Sequence, residues 1–487
     1  MGKGYLSLTV AVAAIGGVLF GYDSGVINGV LAMIPFQQTF PWANPAMKGF
    51  IVSSLQLGCF LGSLGAGYFC ERFGRKRSIL AGAICFVIGG TLQASSHGIP
   101  QLIVSRIIAG FAVGILSMGV PLYLSEVAPA STRGALVSMQ QFAITLGILI
   151  SFWIDYGSLH IQGNNSWRVP FGIQVGIAGI MALGMLLLPE SPRWLMTHGQ
   201  ESRAEANLNR LRDHRAISTG STAAELSAIN ESIALERQIG SGKWSELFAH
   251  GMWRRTLIGV LIQIFQQLTG INAVMYYASS ILAQAGFDTQ STALLATAGS
   301  GIVNVVFTLP GLYFIDRVGR RPLLLSGAAV MVTGMVILGV LIAIYGPDFS
   351  NSAAPYACLV MMYIFTAGFA FSWGPIGWVY PSEIYPLRIR SKAISLTTAS
   401  NWLFNFAVSQ LVPVLMDAID WGLYIIFAGF GLIMFIWVFF YVPETKGKSL
   451  EEIDLMFGTK SGGFASMAPS LHPASEKSLD VSTEEKA

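Results

Sequence analysis

Charge is scarce in this 487-residue chain: Asp, Glu, Lys and Arg make up 11% of it, against about a quarter in an ordinary soluble domain. Cysteine is scarcer, with four residues (Cys59, Cys70, Cys85, Cys358) all in or beside apolar runs, which argues against a disulfide framework. The six histidines are scattered through ends and loops. No His/Cys/Asp cluster suits a metal, no GxxxxGKS/T loop suits a phosphate, and no Ser/His/Asp set suggests a nucleophile. These absences argue against an enzyme, an ATP-driven pump and a bound cofactor. A channel is disfavoured because no ring of repeated charges is present to line a pore. The formal net charge of +3 calls for no nucleic-acid or acidic partner.

Apolar residues fill the space that charge leaves, at 53% of the chain. No Asp, Glu, Lys or Arg occurs in 49–70, 79–105, 107–125, 134–154, 169–189, 256–287, 289–315, 322–347, 349–382, 393–416 or 421–443. Each window is long enough to cross a bilayer as a helix. A further span, about 6–30, is interrupted only by Asp23. The expectation is therefore an all-α integral membrane protein of twelve transmembrane helices, six per half. Span 1 is too long for a cleaved signal peptide and lacks a small-residue cleavage site. Basic residues gather between spans 2 and 3 (Arg72, Arg75, Lys76, Arg77), 8 and 9 (Arg317, Arg320, Arg321) and 10 and 11 (Arg388, Arg390, Lys392). The alternate loops hold little beyond Lys48 and Arg168. By the positive-inside rule both termini are expected in the cytoplasm.

The chain also repeats itself. Glu71-Arg72-Phe73-Gly74-Arg75-Lys76-Arg77 returns about 245 residues later as Asp316-Arg317-Val318-Gly319-Arg320-Arg321. Glu126, Pro129 and Arg133 share their spacing with Glu383, Pro386 and Arg390, and Pro189-Glu190-Ser191 is echoed by Pro443-Glu444-Thr445. Three landmarks in the same order predict two copies of one half, the organisation of transporters whose halves rock about a central site. The expected parts are a first half at 1–189, a linker at 190–253, a second half at 254–443 and a polar tail at 444–487. Ala204, Leu208, Leu211 and Ile229 suggest amphipathic linker helices on the membrane surface. After Asp454 the Ser-, Lys-, Glu- and Gly-rich tail reads as disordered.

The local motifs are specific. Gly21-Tyr22-Asp23, Pro189-Glu190-Ser191-Pro192-Arg193-Trp194-Leu195, Gln266-Gln267-Leu268-Thr269-Gly270-Ile271-Asn272 and Pro443-Glu444-Thr445-Lys446-Gly447 together make the chain resemble a sugar porter of the major facilitator superfamily over almost its whole length. The resemblance is stronger to fungal and plant monosaccharide–proton symporters than to animal facilitators. It implies uptake of a monosaccharide, a hexose in chemical class, with a proton, through a plasma-membrane protein that works as a monomer. An uncoupled uniporter or a transporter-like sugar receptor are the other readings.

Amides suit a sugar because they both donate and accept, and aromatic rings cover its C–H faces. The spans offer Gln141, Gln266, Gln267, Asn272, Tyr276, Asn304, Trp378, Asn401, Trp402 and Asn405. Positions similar to these, and to Phe20, contact sugar in the family. Gly270-Ile271 between Gln267 and Asn272 suggests a loosened helix. Asp23 is the one carboxylate read as deep in a span, and Arg106 stands at a similar depth in span 4. An intramembrane acid needs a functional reason, and the resemblance assigns such aspartate–arginine pairs to proton coupling. Glu71, Arg72, Arg75, Glu126, Arg133, Glu190, Asp316, Arg317, Arg320, Glu383, Arg390 and Glu444 read as a cytoplasmic gate that latches the halves on the inner side while the outer side is open. In it, Arg133 and Arg390 meet Glu126, Glu383, Glu190 or Glu444. Glu71 departs from the aspartate usual in the family motif.

Overall fold

The computed structural model describes residues 2–129, 133–212, 221–239, 243–249, 251–287, 290–346, 353–448, 452–453 and 456–457. All regular structure among them is helical. The first half contains α1 (Gly2–Ala32), the short α2 (Ile34–Thr39), α3 (Pro45–Phe73), α4 (Arg75–Ala94), α5 (Ile99–Val127), α6 (Arg133–Ser158) and α7 (Asn165–Leu187). Between the halves lie α8 (Pro192–Thr197), α9 (Glu201–Leu211), α10 (Ser221–Ile239) and a 3₁₀ turn at Trp244–Phe248. The second half contains α11 (Trp253–Leu268), α12 (Ile271–Tyr276), α13 (Ala278–Gln284), α14 (Gln290–Val318), α15 (Arg320–Tyr345), α16 (Ala354–Phe371), α17 (Trp373–Ile384), α18 (Leu387–Ile419) and α19 (Gly422–Tyr441). By length and composition, eleven helical stretches among the described residues can cross a bilayer, with α11–α12 and α16–α17 each counting once. Bulky apolar side chains stand outward, as at Tyr68, Leu183, Leu187 and Phe440. That arrangement suits a lipid surrounding and would be a liability in water.

Local sequence sets the helix starts. The Asn44 side chain accepts from Met47 N at 2.9 Å, with Pro45 at the first helical position of α3. Ser191 does the same for α8, ahead of Pro192. Both follow the preference for Asn or Ser caps and an N-terminal proline. Within the first half, α3 and α5 cross almost backbone to backbone. A Cβ on Gly110 would stand 2.0 Å from Leu55 O, and one on Gly58 2.2 Å from Ile107 O. Gly62 and Gly114 complete the same close crossing, the small-xxx-small geometry of membrane helices. Gly110→Val is therefore expected to force the pair apart at about 1–3 kcal/mol, read as a lower thermal midpoint of the purified protein. An unchanged midpoint would refute the crossing.

The halves meet through α3 against α18, α6 against α14, and α1 against α12 and α13. At the end away from the linker, Asn28 Oδ1 accepts from Ser279 N and Oγ, both at 3.1 Å. There Lys48 Nζ reaches Ser280 Oγ at 3.2 Å, and Ser53 Oγ donates to Gln410 Oε1 at 2.8 Å. Nearer the linker, Ser395 Oγ donates to Ser63 O at 3.1 Å. The linker helices gather around Trp194, Leu195, Met196, Ala204 and Ile233. Arg212 ties them to the first half by donating to Val127 O at 2.9 Å. The tail from 458 onward, expected to be disordered, lies outside the described residues. Just before it, Phe457 is buried, with the Arg255 guanidinium 4.9 Å from its ring centroid.

The structure adds a second buried carboxylate to Asp23: Asp155, in the last turn of α6, is fully buried, packed where a side chain on Gly29 of α1 would stand. It sits one residue past an uncharged window, so the sequence reads it as a boundary. The helix continues to Ser158 and carries it inside.

Candidate functional site

A cavity lies where the two halves face each other, the place where transporters built from repeated halves hold their substrate. The first half supplies Phe20 and Ser24 from α1 and Gln141, Ile144, Thr145 and Ile148 from α6. The second supplies Gln266 and Gln267 from α11, Asn272 and Tyr276 from α12, Asn304 from α14, Trp378 from α17, and Asn401 and Asn405 from α18. Ten of the eleven residues read as sugar contacts thus line one space. Trp402 does not: it is buried behind Phe20, with ring centroids 4.9 Å apart. One residue further round α18 than Asn401, it faces away from the cavity. Ser24 and Thr145 were missed, although each lies four residues after a recognised position, Phe20 and Gln141, and so on the same helix face.

Breaks in two helices build the wall. After Leu268 the chain leaves the helix at Gly270, whose φ of +85° is the left-handed conformation glycine adopts freely. A side chain there would also meet the Phe427 ring at 2.7 Å. Thr269 Oγ1 patches the break by donating to Gln266 O at 2.7 Å and accepting from Ile271 N at 3.2 Å. The loosening expected at Gly270-Ile271 is thus present, and a second break follows at Tyr277. Between α16 and α17 the helix also opens, at Ser372.

The amides divide into two groups. Gln266 Nε2 donates to Trp373 O at 2.8 Å, and Gln263 Nε2 to Gly377 O at 2.8 Å, so both brace the opened α16–α17 backbone. Asn401 Nδ2 holds both braces, donating to Gln263 Oε1 at 2.6 Å and Gln266 Oε1 at 2.7 Å. Asn272 Nδ2 donates to Gln267 Oε1, and Asn405 Nδ2 to the Tyr276 hydroxyl at 3.3 Å. Gln141 and Asn304, on facing helices, have no such brace among the described residues. Gln263 carries no signal in sequence beyond lying three residues before Gln266, one turn away.

Asp23 and Arg106 are both fully buried, yet among the described residues no hydrogen bond or ion pair joins them. Neither carboxylate oxygen of Asp23 has a hydrogen-bond partner, nor do Arg106 Nε and Nη1. Arg106 Nη2 instead donates to Val52 O of α3 at 3.2 Å. The guanidinium is turned to a backbone carbonyl rather than to the acid.

The charged motifs form two matching clusters at the linker end. In the first, Arg75 donates to Glu126 Oε1 through Nη2 at 2.8 Å and Nε at 3.1 Å, and Ser191 Oγ donates to the other Glu126 oxygen. In the second, Arg320 pairs with Glu383 at 2.6 Å and Asp316 at 2.9 Å, and Thr445 Oγ1 donates to Glu383 at 2.7 Å. Glu190 accepts from Lys76 N at 3.0 Å, and Glu444 from Arg320 N at 3.0 Å and Arg321 N at 2.9 Å. Each carboxylate therefore caps a helix N-terminus, where free amides and the helix dipole favour negative charge.

Each of these pairs joins helices of one half, so none of them latches the halves together in this structure. Arg390 donates to Tyr385 O at 3.0 and 3.1 Å, not to an acid of the motif set. The Arg133 side chain lies outside the described residues. Glu71 contributes its carbonyl, which accepts from Trp194 Nε1 at 2.8 Å, while Arg72 is exposed. Arg317 lies over the Tyr313 ring, 4.2 Å from its centroid.

A helical membrane bundle of two repeated halves, closed on a polar cavity at their interface, defines a secondary transporter. The chain belongs to the family of sugar transporters, matching "Sugar (and other) transporter" over residues 9–457. It is 36% identical over 469 residues to a glucose transporter of Aspergillus flavus, covering 91% of this chain and 88% of that one. It is also 36% identical over 471 residues to a high glucose sensor of Saccharomyces cerevisiae, covering 93% of this chain and 61% of the sensor. Its fold matches the proton:xylose symporter XylE bound to 6-bromo-6-deoxy-D-glucose with a TM-score of 0.77 and 32% identity, over 94% of this chain and all of the other. XylE is a protein of E. coli. The protein is thus a multi-pass sugar transporter of the major facilitator superfamily.

Proposed function

We propose that this chain carries a hexose into the cell together with a proton, by exposing the central cavity alternately to the two sides of the plasma membrane. The observation that carries the reading is the cavity itself: seven amides with Phe20, Tyr276 and Trp378, drawn from both halves. Gln141 and Asn304 offer both donor and acceptor atoms to sugar hydroxyls. Gln267 and Asn272 exchange their mutual bond, and Asn405 its bond to the Tyr276 hydroxyl, for bonds to the sugar, while Gln266 and Asn401 keep the wall in shape. Phe20 and Trp378 cover the ring faces, and Trp402 supports Phe20 from behind.

In this reading α6 is a membrane span as well, making twelve, six in each half. The two halves at 1–189 and 254–443 move about the site, and the linker at 190–253, the tail at 444–487 and both termini are cytoplasmic. The protein works as a monomer in the bilayer. The proton binds the Asp23 carboxylate from the outer side, forming an O–H bond, and leaves it on the inner side. The arrangement of Arg106, turned to Val52 O, is the released member of the pair. A charge buried without a partner is costly, which links the movement of Arg106 to proton occupancy of Asp23. The related proton:xylose symporter supports proton coupling.

The test is uptake of labelled D-glucose in cells lacking their own sugar transporters, with and without a protonophore. Accumulation that the protonophore abolishes is expected, and simple equilibration indifferent to it would leave a uniporter. The similarity to a glucose sensor favours one other reading, a receptor, which would show no uptake at all. In the same cells, Gln267→Ala or Asn272→Ala should raise the apparent KM about tenfold, since each strips a buried partner from a sugar hydroxyl at about 1–3 kcal/mol. Unchanged KM in both would remove the α11–α12 break from the site.

A further inference from the structure

Gln56 of α3 is fully buried and takes no part in lining the cavity. The amide orientation that satisfies it turns Nε2 to Val52 O at 2.8 Å and Ser53 O at 3.2 Å, while Oε1 accepts from the Tyr276 hydroxyl at 3.1 Å. Tyr276 in turn accepts from Asn405 Nδ2 at 3.3 Å, and both of these residues line the cavity. At the other end, the Val52 carbonyl that Gln56 holds is the one that receives Arg106 Nη2 at 3.2 Å. A continuous hydrogen-bonded path thus runs from α18 through α12 and α3 to α5. It joins the cavity wall to the guanidinium beside Asp23, across the interface between the halves.

We propose that Gln56 is the positioning residue that links occupancy of the cavity to the placement of Arg106. The Val52 carbonyl, which within α3 also accepts the Gln56 backbone N–H, is shared by the Gln56 and Arg106 side chains, so three donors meet an oxygen with two lone pairs. A sugar hydroxyl that engages Asn405 or the Tyr276 hydroxyl changes the bond Tyr276 makes to Gln56. That alters how firmly Gln56 holds the Val52 carbonyl and so how firmly the carbonyl holds Arg106. Bonds in such a chain polarise one another, and the link is reciprocal: moving Arg106 must change sugar affinity by the same factor. An amide serving only to tie α3 to α12 would stabilise the bundle without making the two sites depend on each other. The inference rests on the reading of Asp23 and Arg106 as the proton-coupling pair.

The experiment is a double-mutant cycle on the purified full chain, with D-glucose binding measured by calorimetry for the wild type, Arg106→Ala, Gln56→Met and the double variant. Coupled residues show interaction energies of about 0.5–3 kcal/mol. Arg106→Ala should therefore shift the glucose Kd about fivefold or more in the native background, and less than about twofold in Gln56→Met. Equal shifts in both backgrounds would overturn the proposal. If Gln56→Met does not fold, Tyr276→Phe cuts the same path and carries the same comparison. In proteoliposomes, the wild type should take up protons on glucose addition, and Gln56→Met should take up fewer protons per sugar. Absence of proton entry in the wild type would remove the symport reading by itself, while the binding cycle still decides the role of Gln56.

Discussion

Asp23→Asn is expected to turn an accumulating carrier into an equilibrating one. The substitution keeps the shape of the side chain but leaves nothing at that position to ionise, so Arg106 no longer alternates between a charged and a neutral neighbour. A proton crossing 100 mV supplies about 2.3 kcal/mol, and one pH unit adds about 1.4 kcal/mol. At about 1.4 kcal/mol per tenfold, their sum sustains roughly a 500-fold sugar gradient. In the Asn variant that ratio should fall to unity and glucose-driven proton entry should vanish. Exchange of labelled for unlabelled glucose across the membrane should persist at a reduced rate. The cavity, which Asp23 does not line, should bind glucose with an affinity within a fewfold of the wild type. Accumulation surviving in Asp23→Asn would make the aspartate structural and direct attention to Asp155, the other buried carboxylate of the first half.

The fold was legible because the membrane imposes a simple pattern. A stretch must be about 20 residues long and free of charge to cross, and that can be counted. The repeats, set by the two clusters at the linker end, were visible for the same reason: charge is rare enough here for every charged motif to stand out. Cavity residues were legible where an amide in an apolar run has little other use. Partners were not. Sequence shows that Arg75, Arg390, Glu126 and Glu190 are available, but the geometry that pairs Arg75 with Glu126 and turns Arg390 to Tyr385 O depends on helix packing. The same limit hid Gln263, whose work is to brace a distant backbone at Gly377, and Gln56, which links its own helix to the Tyr276 hydroxyl of α12. Asp155 escaped because a charge at the edge of an apolar window looks the same whether the helix stops there or runs on.

A role for the charged clusters inside each half, rather than between halves, makes its own prediction. Arg75 and Glu126 are 13% and 7% exposed at the side chain, Arg320 and Glu383 10% and 24%. Removing one partner of a buried pair costs about 3–5 kcal/mol, because the other charge is left without compensation. Arg75→Ala should therefore lower the thermal midpoint more than Arg320→Ala, since Glu126 is the more deeply buried acid. Transport should slow with the loss of rigidity, while the glucose Kd of folded protein stays within about twofold. The double change Arg75→Ala with Glu126→Gln should recover part of the lost stability, because the orphaned charge is gone. Recovery of transport alongside it would place the function of the pair in holding α4 to α5, so that the half moves as one body. Transport lost in Arg75→Ala at an unchanged midpoint, and not restored by the double change, would instead mean that Arg75 acts on the opposite half during alternation.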